Sequence, residues 1–186
     1  MRIIAGVNRG RILQTLKGMH TRPTSDRVKE AVFSSISPRL YGALVLDAFA
    51  GSAALGLEAL SRGAAQAVFV EADRQAAAVC EKNIALLGQG KAVLHRGDCL
   101  QLLPRWRKQG QTDCFDIIFA DPPYNRGLLN ELLKVVADGN WLSEQGMLVA
   151  ETVARDSEFD PDERWQVIKT AVYGNTRVIY CRLQSL

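Results

Sequence analysis

The sequence predicts an α/β fold: a mainly parallel sheet of seven strands with helices on both faces, closed by an antiparallel C-terminal hairpin. Three observations carry this expectation. Short β-rich apolar runs alternate with helical patterns from Ala43 to Ala150, as in successive β-α units. After that the runs at residues 165–171 and 177–183 flank Tyr173-Gly174-Asn175-Thr176, a hairpin signal. A length of 186 residues with 47% hydrophobic content suits one domain with a substantial core.

Residues 2–5 and 11–14 read as short strands around Gly6-Val7-Asn8-Arg9-Gly10, an N-terminal β-hairpin. A helical pattern follows, with Val28, Ala31, Val32 and Ile36 on one face. Thr24 or Ser25 suits its N-cap, Asp26 falls in the first turn where the helix dipole favours an anion, and Pro38 ends the run. The sheet begins with a buried strand at 44–46, and a helix at 52–62 stops at Gly63. Strand two spans 68–70, and a helix from about Arg74 turns Ala77, Cys80, Ile84 and Leu87 inward before Gly88. Strand three at 92–95, a short helix at 100–107, strand four at 116–120, a helix at 128–137 and strand five at 147–150 complete the alternation. The expected division is an extension at residues 1–40 on a body at residues 41–186.

No run approaches the roughly 18 apolar residues of a membrane span, and the first residues lack the apolar core of a signal peptide. Cys80, Cys99, Cys114 and Cys181 show no C-x-x-C spacing, which disfavours a disulfide scaffold or a zinc ribbon. A reduced, cytosolic, monomeric protein is the expectation. The net charge of +3 is unevenly placed: residues 1–30 carry a local +5 and the remainder −2. A basic arm on a slightly acidic body suits a polyanionic partner, although composition alone leaves a solvated charged segment equally open.

In an open parallel sheet, ligands bind beyond the carboxyl ends of the strands. Four such ends carry suggestive residues. Asp47-Ala48-Phe49-Ala50-Gly51-Ser52-Ala53-Ala54-Leu55-Gly56 follows strand one, and its small residues let a ligand approach the backbone. Glu71 ends strand two, where its carboxylate can accept both hydroxyls of a ribose. Gly97-Asp98-Cys99 follows strand three, placed to bracket an adenine, and Asp121-Pro122-Pro123-Tyr124 follows strand four. Gly51, Ala53 and Gly56 with Glu71 beyond them also resemble a nicotinamide-dinucleotide fingerprint. Against that reading, Asp47 would sit badly beside a pyrophosphate, and the Asp-Pro-Pro-Tyr turn has no part in hydride transfer.

Consecutive prolines fix two φ angles and remove two backbone donors, so this turn is stiff and rich in acceptors. The Asp121 carboxylate and the Pro122 carbonyl form a pair of acceptors for an exocyclic amine. Binding both hydrogens turns the nitrogen lone pair toward an electrophile, and Tyr124 offers a face for a flipped-out base. The matching electrophile is a sulfonium methyl, whose in-line transfer needs alignment more than acid or base catalysis.

These strand-end motifs resemble those of class I S-adenosylmethionine-dependent methyltransferases of Rossmann-like fold, the Asp-Pro-Pro-Tyr form being typical of enzymes that methylate amino groups. Arg2-Ile3-Ile4-Ala5-Gly6, Arg9-Gly10-Arg11, Thr21-Arg22-Pro23-Thr24-x-Asp26-Arg27-Val28-Lys29-Glu30-Ala31 and Gly56-Leu57-Glu58-Ala59-Leu60-Ser61-Arg62-Gly63-Ala64 resemble, more narrowly, the bacterial RsmD family. That resemblance implies methylation of the 2-amino group of a guanine in 16S ribosomal RNA, within an assembled or assembling small subunit. It implies S-adenosylmethionine held by Asp47, Phe49, Gly51, Ser52, Glu71, Asp98, Cys99 and Asp121. Asp121, Pro122 and Tyr124 would be catalytic, and Arg2, Arg9, Arg11, Arg22, Arg27, Pro123 and Tyr124 would bind substrate. The segment 21–27 would pack over the cofactor mouth. Ala53 departs from the family's usual glycine; if the position needs a positive φ, alanine costs on the order of 1 kcal/mol or the loop shifts.

A DNA or RNA adenine-amine methyltransferase is the nearest enzymatic rival, and a non-catalytic RNA-binding assembly factor belongs to a different class. His20 and His95 lack partners at metal-ligand spacing, so no metal is expected. Trp106, Trp141 and Trp165 read as packing residues, and Arg105, Arg107 and Lys108 as either a phosphate-binding face or a solvated helix end.

Overall fold

The computed structural model describes residues 1–16, 26–123, 126–155 and 159–184. The expected N-cap of the first helix, the segment 21–25 and Tyr124 lie outside them. The described elements are α1 (Asp26–Ile36), a 3-10 turn (Ser37–Arg39), β1 (Leu44–Asp47), α2 (Ala54–Ser61), β2 (Gln66–Glu71), α3 (Arg74–Leu87), β3 (Ala92–Arg96), α4 (Cys99–Lys108), β4 (Phe115–Ala120), α5 (Leu128–Asp138), β5 (Leu142–Val153), β6 (Trp165–Tyr173) and β7 (Thr176–Leu183). The seven strands form one sheet in the order β3-β2-β1-β4-β5-β7-β6. β1 through β5 pair in parallel, and β7 runs antiparallel to both β5 and β6. This is the expected Rossmann-like arrangement. The hairpin turn is Gly174-Asn175, with Tyr173 opposite Thr176 and Gly174 at φ +61°, the positive first position that a two-residue loop between twisted strands demands.

Alternation along the strands splits the core cleanly. Val45, Phe69, Phe119, Val149 and Val178 face one apolar cluster, shared with α1 and α2. Their neighbours Leu46, Val70, Ile118, Ala150 and Ile179 face the other, beneath α4 and α5. α2 lies so close to β2 that a Cβ on Gly56 would meet the Phe69 ring at 2.3 Å. All three tryptophans are core residues, as expected. Arg107 is neither a phosphate contact nor a solvated end: it stacks over Trp141 and donates to the carbonyls of Gly139, Gln111 and Asn140.

β5 is much longer than the sequence suggests. Its pairing with β4 slips between Phe115↔Leu142 and Ile117↔Met147, an irregularity that absorbs the polar Ser143-Glu144-Gln145-Gly146 stretch within the strand. At its other end the strand runs on past Ala150 through Glu151 to Val153.

Residues 1–13 fold back as an antiparallel pair, bridged at Arg2↔Ile12, and contribute Ile3 and Leu13 to the α1–α2 cluster. Glu58 of α2, 0% exposed, fastens them. Its carboxylate accepts the Ile4 and Ala5 amides at 2.8 and 3.0 Å and pairs with Arg62 at 2.7 Å and with fully buried Lys29 of α1 at 3.3 Å. The Lys29 ammonium also donates to the Arg2 carbonyl. Burial pushes the Lys29 pKa down while the Glu58 charge opposes that shift. Further along, Asn83 of α3 accepts the Gln14 amide and donates to the carbonyls of Gln14 and Ser52.

Removing the carboxylate strands a buried ammonium and two amides. Glu58→Ala should therefore lower the unfolding free energy by about 3–5 kcal/mol in urea titrations.

Candidate active site

Chain order moves outward from β1 to β2 and β3 on one side, then returns to β4 and β5 on the other. The switch leaves a crevice beyond the carboxyl ends of β1 and β4, where α/β sheets bind their ligands. Asp47 ends β1, Glu71 ends β2, Asp98 follows β3, and Asp121 follows β4. The four expected strand-end acids thus lie along one edge of the sheet.

Asp47 is 1% exposed and accepts the Gly56 amide at 3.0 Å, which fixes the start of α2 against β1. Glu71 accepts the Gly51 amide at 2.7 Å through one oxygen and the Asp73 amide at 2.7 Å through the other. The loop between β1 and α2 is therefore pinned by two carboxylates. The expected Gly51 amide is already engaged by Glu71. A carboxylate has about four lone-pair sites, so Glu71 retains acceptor capacity for ribose hydroxyls. Ala53 takes φ +65°, so this position does need the left-handed region. The alanine methyl is fully buried, and that burial offsets part of the on-the-order-of 1–2 kcal/mol strain. Because Ala53 is not helical, α2 starts at Ala54, two residues later than the sequence pattern indicates.

Asp98 caps α4 by accepting the Leu100 amide at 2.9 Å. The Cys99 side chain is buried against Leu103 and Trp106, and burial drives its thiol pKa well up, so it is no nucleophile. Phe49 packs half-buried against the same cluster, and the Ser52 hydroxyl donates to the Met1 sulfur at 3.4 Å.

Asp121 is half-buried and Pro122 buried, while Pro123 is exposed. Burial raises the Asp121 pKa well above the carboxylate range, and the charges of Glu151 and Asp47 raise it further. Glu151 is absent from the sequence-based set. It is 6% exposed and follows Ala150 as Asp121 follows Ala120, its register partner on the neighbouring strand. Asp47, Asp121 and Glu151 have the parity of Val45, Phe119 and Val149, so they share the α1–α2 face of the sheet. A narrow cleft on that face runs between Val32 of α1 and Leu55 of α2, with Phe119, Val149, Glu151 and Val178 along the strands.

Of the expected substrate contacts, Arg9, Arg11 and Arg27 are exposed and Arg2 pairs at the surface with Asp26 at 2.9 Å. Arg22 and Tyr124 lie outside the described residues, as does His20. His95 packs edge-on against Trp106.

A family model described as Conserved hypothetical protein 95, the RsmD family, matches residues 1–182. The chain belongs to that family. It is 36% identical over 94% of its length to Ribosomal RNA small subunit methyltransferase D of Escherichia coli K12, covering 85% of that protein. The same-named protein of Haemophilus influenzae is 35% identical over 94% of the chain and 89% of its own length. Among solved structures, yhhF from Escherichia coli superposes with a TM-score of 0.86 at 33% identity, over 100% of this chain and 99% of that one. Membership of the RsmD family and the Rossmann-like sheet make this an S-adenosylmethionine-dependent methyltransferase.

The acids fit that methyl donor. Burial raises the proton affinity of Asp47 and of Asp121, and the carboxylates beside each add to it. A cationic sulfonium and an α-amine are the partners such a face accepts.

Burial pushes the Asp47 carboxyl up to about 7, against the hydrogen bond from Gly56. The folded state then binds a proton more tightly than the unfolded chain between about pH 4 and 7, so Asp47 costs stability as pH rises through that window. Asp47→Asn, which keeps an acceptor for Gly56, escapes this. Its unfolding free energy relative to the parent should rise by roughly 2 kcal/mol from pH 5 to pH 8, measured by urea titration at both.

Proposed function

We propose that the protein transfers a methyl group from S-adenosylmethionine to the 2-amino group of a guanine in small-subunit ribosomal RNA. The observation that carries the reading is the rigid Asp121-Pro122-Pro123 corner, set beside Asp47 across the switch-point crevice. The names of the Escherichia coli and Haemophilus influenzae relatives support ribosomal RNA of the small subunit as the substrate.

The cofactor side is the β1–β2–β3 half of the sheet. Asp47 faces the amine or the charge of the donor, Glu71 the ribose, and Asp98 and the start of α4 the adenine, with Phe49, Gly51, Ser52 and Cys99 lining the way. When bound, S-adenosylmethionine supplies an electrophilic methyl: the new N–C bond forms as the C–S bond breaks, its electron pair remaining on sulfur. The Asp121 carboxylate and the Pro122 carbonyl accept the two hydrogens of the amine, which turns its lone pair out of the ring plane. Asp121 then holds the proton shed by the methylated nitrogen. Tyr124 stacks on the extruded base and Pro123 borders it.

The basic N-terminal face supplies phosphate contacts through Arg2, Arg9, Arg11, Arg22 and Arg27, with base identity left to the pocket. The protein works as a monomer in the cytoplasm, on a subunit assembled or in assembly.

Asp121→Ala should slow methyl transfer about 100-fold or more at saturating S-adenosylmethionine. Labelled-methyl transfer to small ribosomal subunits, naked ribosomal RNA and duplex DNA tests the substrate; label confined to DNA defeats the proposal. Replacing Arg9 and Arg11 together by Ala should weaken RNA binding and flatten its salt dependence by about one unit of log–log slope for each phosphate no longer neutralised. A slope unchanged from the parent would remove these arginines from the RNA path. Point substitutions suit this test because Ile3 and Leu13 of the same segment are core residues.

A further inference from the structure

Asp121 is one of two carboxylates at the base-binding end of the sheet. Glu151 stands beside it on β5, because Ala120 and Ala150 are register partners and the acids follow them on adjacent parallel strands. Neighbouring strands lie about 4.8 Å apart. The acids therefore present two acceptors in a row across the strands, on the face where Val32 and Leu55 wall an apolar cleft. Asp47 marks the donor's side of Asp121, and Glu151 lies on the opposite side, toward β7. A base whose amine is held at Asp121 can turn one flank of that amine toward Glu151, and a carboxylate there favours the flank that carries a donor.

Guanine carries two adjacent donors on one edge, the 2-amino group and N1–H. Adenine carries its amine next to a bare N1 lone pair. An ionised carboxylate only accepts hydrogen bonds, so it attracts the first edge and repels the second. We infer that Glu151 is the specificity-determining residue of the base pocket, accepting N1–H of guanine while Asp121 and Pro122 accept the amine. The inference rests on the guanine 2-amino reading above and adds to it the group that excludes adenine. A site built around a donor discriminates strongly against an analogue lacking it, because its own acceptor is left unpaired.

2-Aminopurine separates the two contributions: it keeps the 2-amino group but has an acceptor at N1. Small-subunit RNA is prepared with guanine or 2-aminopurine at the nucleotide that mass spectrometry identifies as methylated, and kcat/KM is measured for both. The parent protein should prefer guanine by about 10- to 100-fold. Glu151→Gln, whose amide can also donate to a bare N1, should shrink that ratio at least tenfold, and the fluorescence of the extruded 2-aminopurine reports its binding separately. A ratio cancels any general loss of fold or cofactor affinity. Parent protein that uses both RNAs within about threefold overturns the inference without touching the guanine reading. So does a Glu151→Gln variant that slows both equally. Absence of methyl on any guanine would instead remove the reading on which it rests.

Discussion

A single hydrogen bond, from the Gly56 amide to the Asp47 carboxylate at 3.0 Å, sets the geometry of the crevice. It joins the last residue of β1 to the first turn of α2, and so dictates where the intervening loop closes. The constraint is costly, since the carboxyl is almost wholly buried and its proton affinity is raised accordingly. Glu71 closes the other side of the loop through Gly51. With both ends anchored, Ala53 is held at a backbone angle that an alanine ordinarily avoids, and the core takes in its methyl. The left-handed angle at Ala53 is accommodated by burial, with the loop still closing onto Asp47 and Glu71.

On the proposed reading, the two halves of the sheet do different work. Asp47, Glu71 and Asp98 stand on the outward-moving half, β1 to β3, and Asp121 and Glu151 on the returning half, β4 and β5. Parallel pairing makes this legible residue by residue: Asp121 and Glu151 follow the register partners Ala120 and Ala150, while Asp47 is level with Phe119, two residues before Asp121. Strand alternation then turns Asp47, Asp121 and Glu151 to the same side. The electrostatic result is a face with negative capacity and a low-dielectric floor of Phe119 and Val149, suited to a positively charged ligand.

Much of this was legible in the sequence because the signals are local. α3 starts at Arg74 and stops before Gly88 as its pattern indicates, since Asp73 caps it by accepting the Gln75 and Ala76 amides. The Gly174-Asn175 turn is fixed by backbone chemistry alone. The strand-end acids follow from short buried runs with an acid at the end. Two things were not legible. The early start of β5 depends on a register slip opposite Phe115, which no alternation pattern records, and Glu151 was missed at the other end, where the strand runs on past the apolar stretch that ends at Ala150. Glu58 resembles an ordinary helix carboxylate in sequence; its partners are amides 53 and 54 positions away and a lysine on another helix.

The fastening of residues 1–13 to α2 has a mechanical consequence. Glu58, Lys29 and Asn83 weld the hairpin to the helices behind the crevice, and α2 begins at the very loop that Asp47 closes. Arg9 and Arg11 consequently stand at a set remove from the carboxyl edge, like the jaw of a calliper. On the proposed reading, a polyanion gripped by that jaw offers only what lies one fixed span further along, so distance itself screens the chain before any chemistry does.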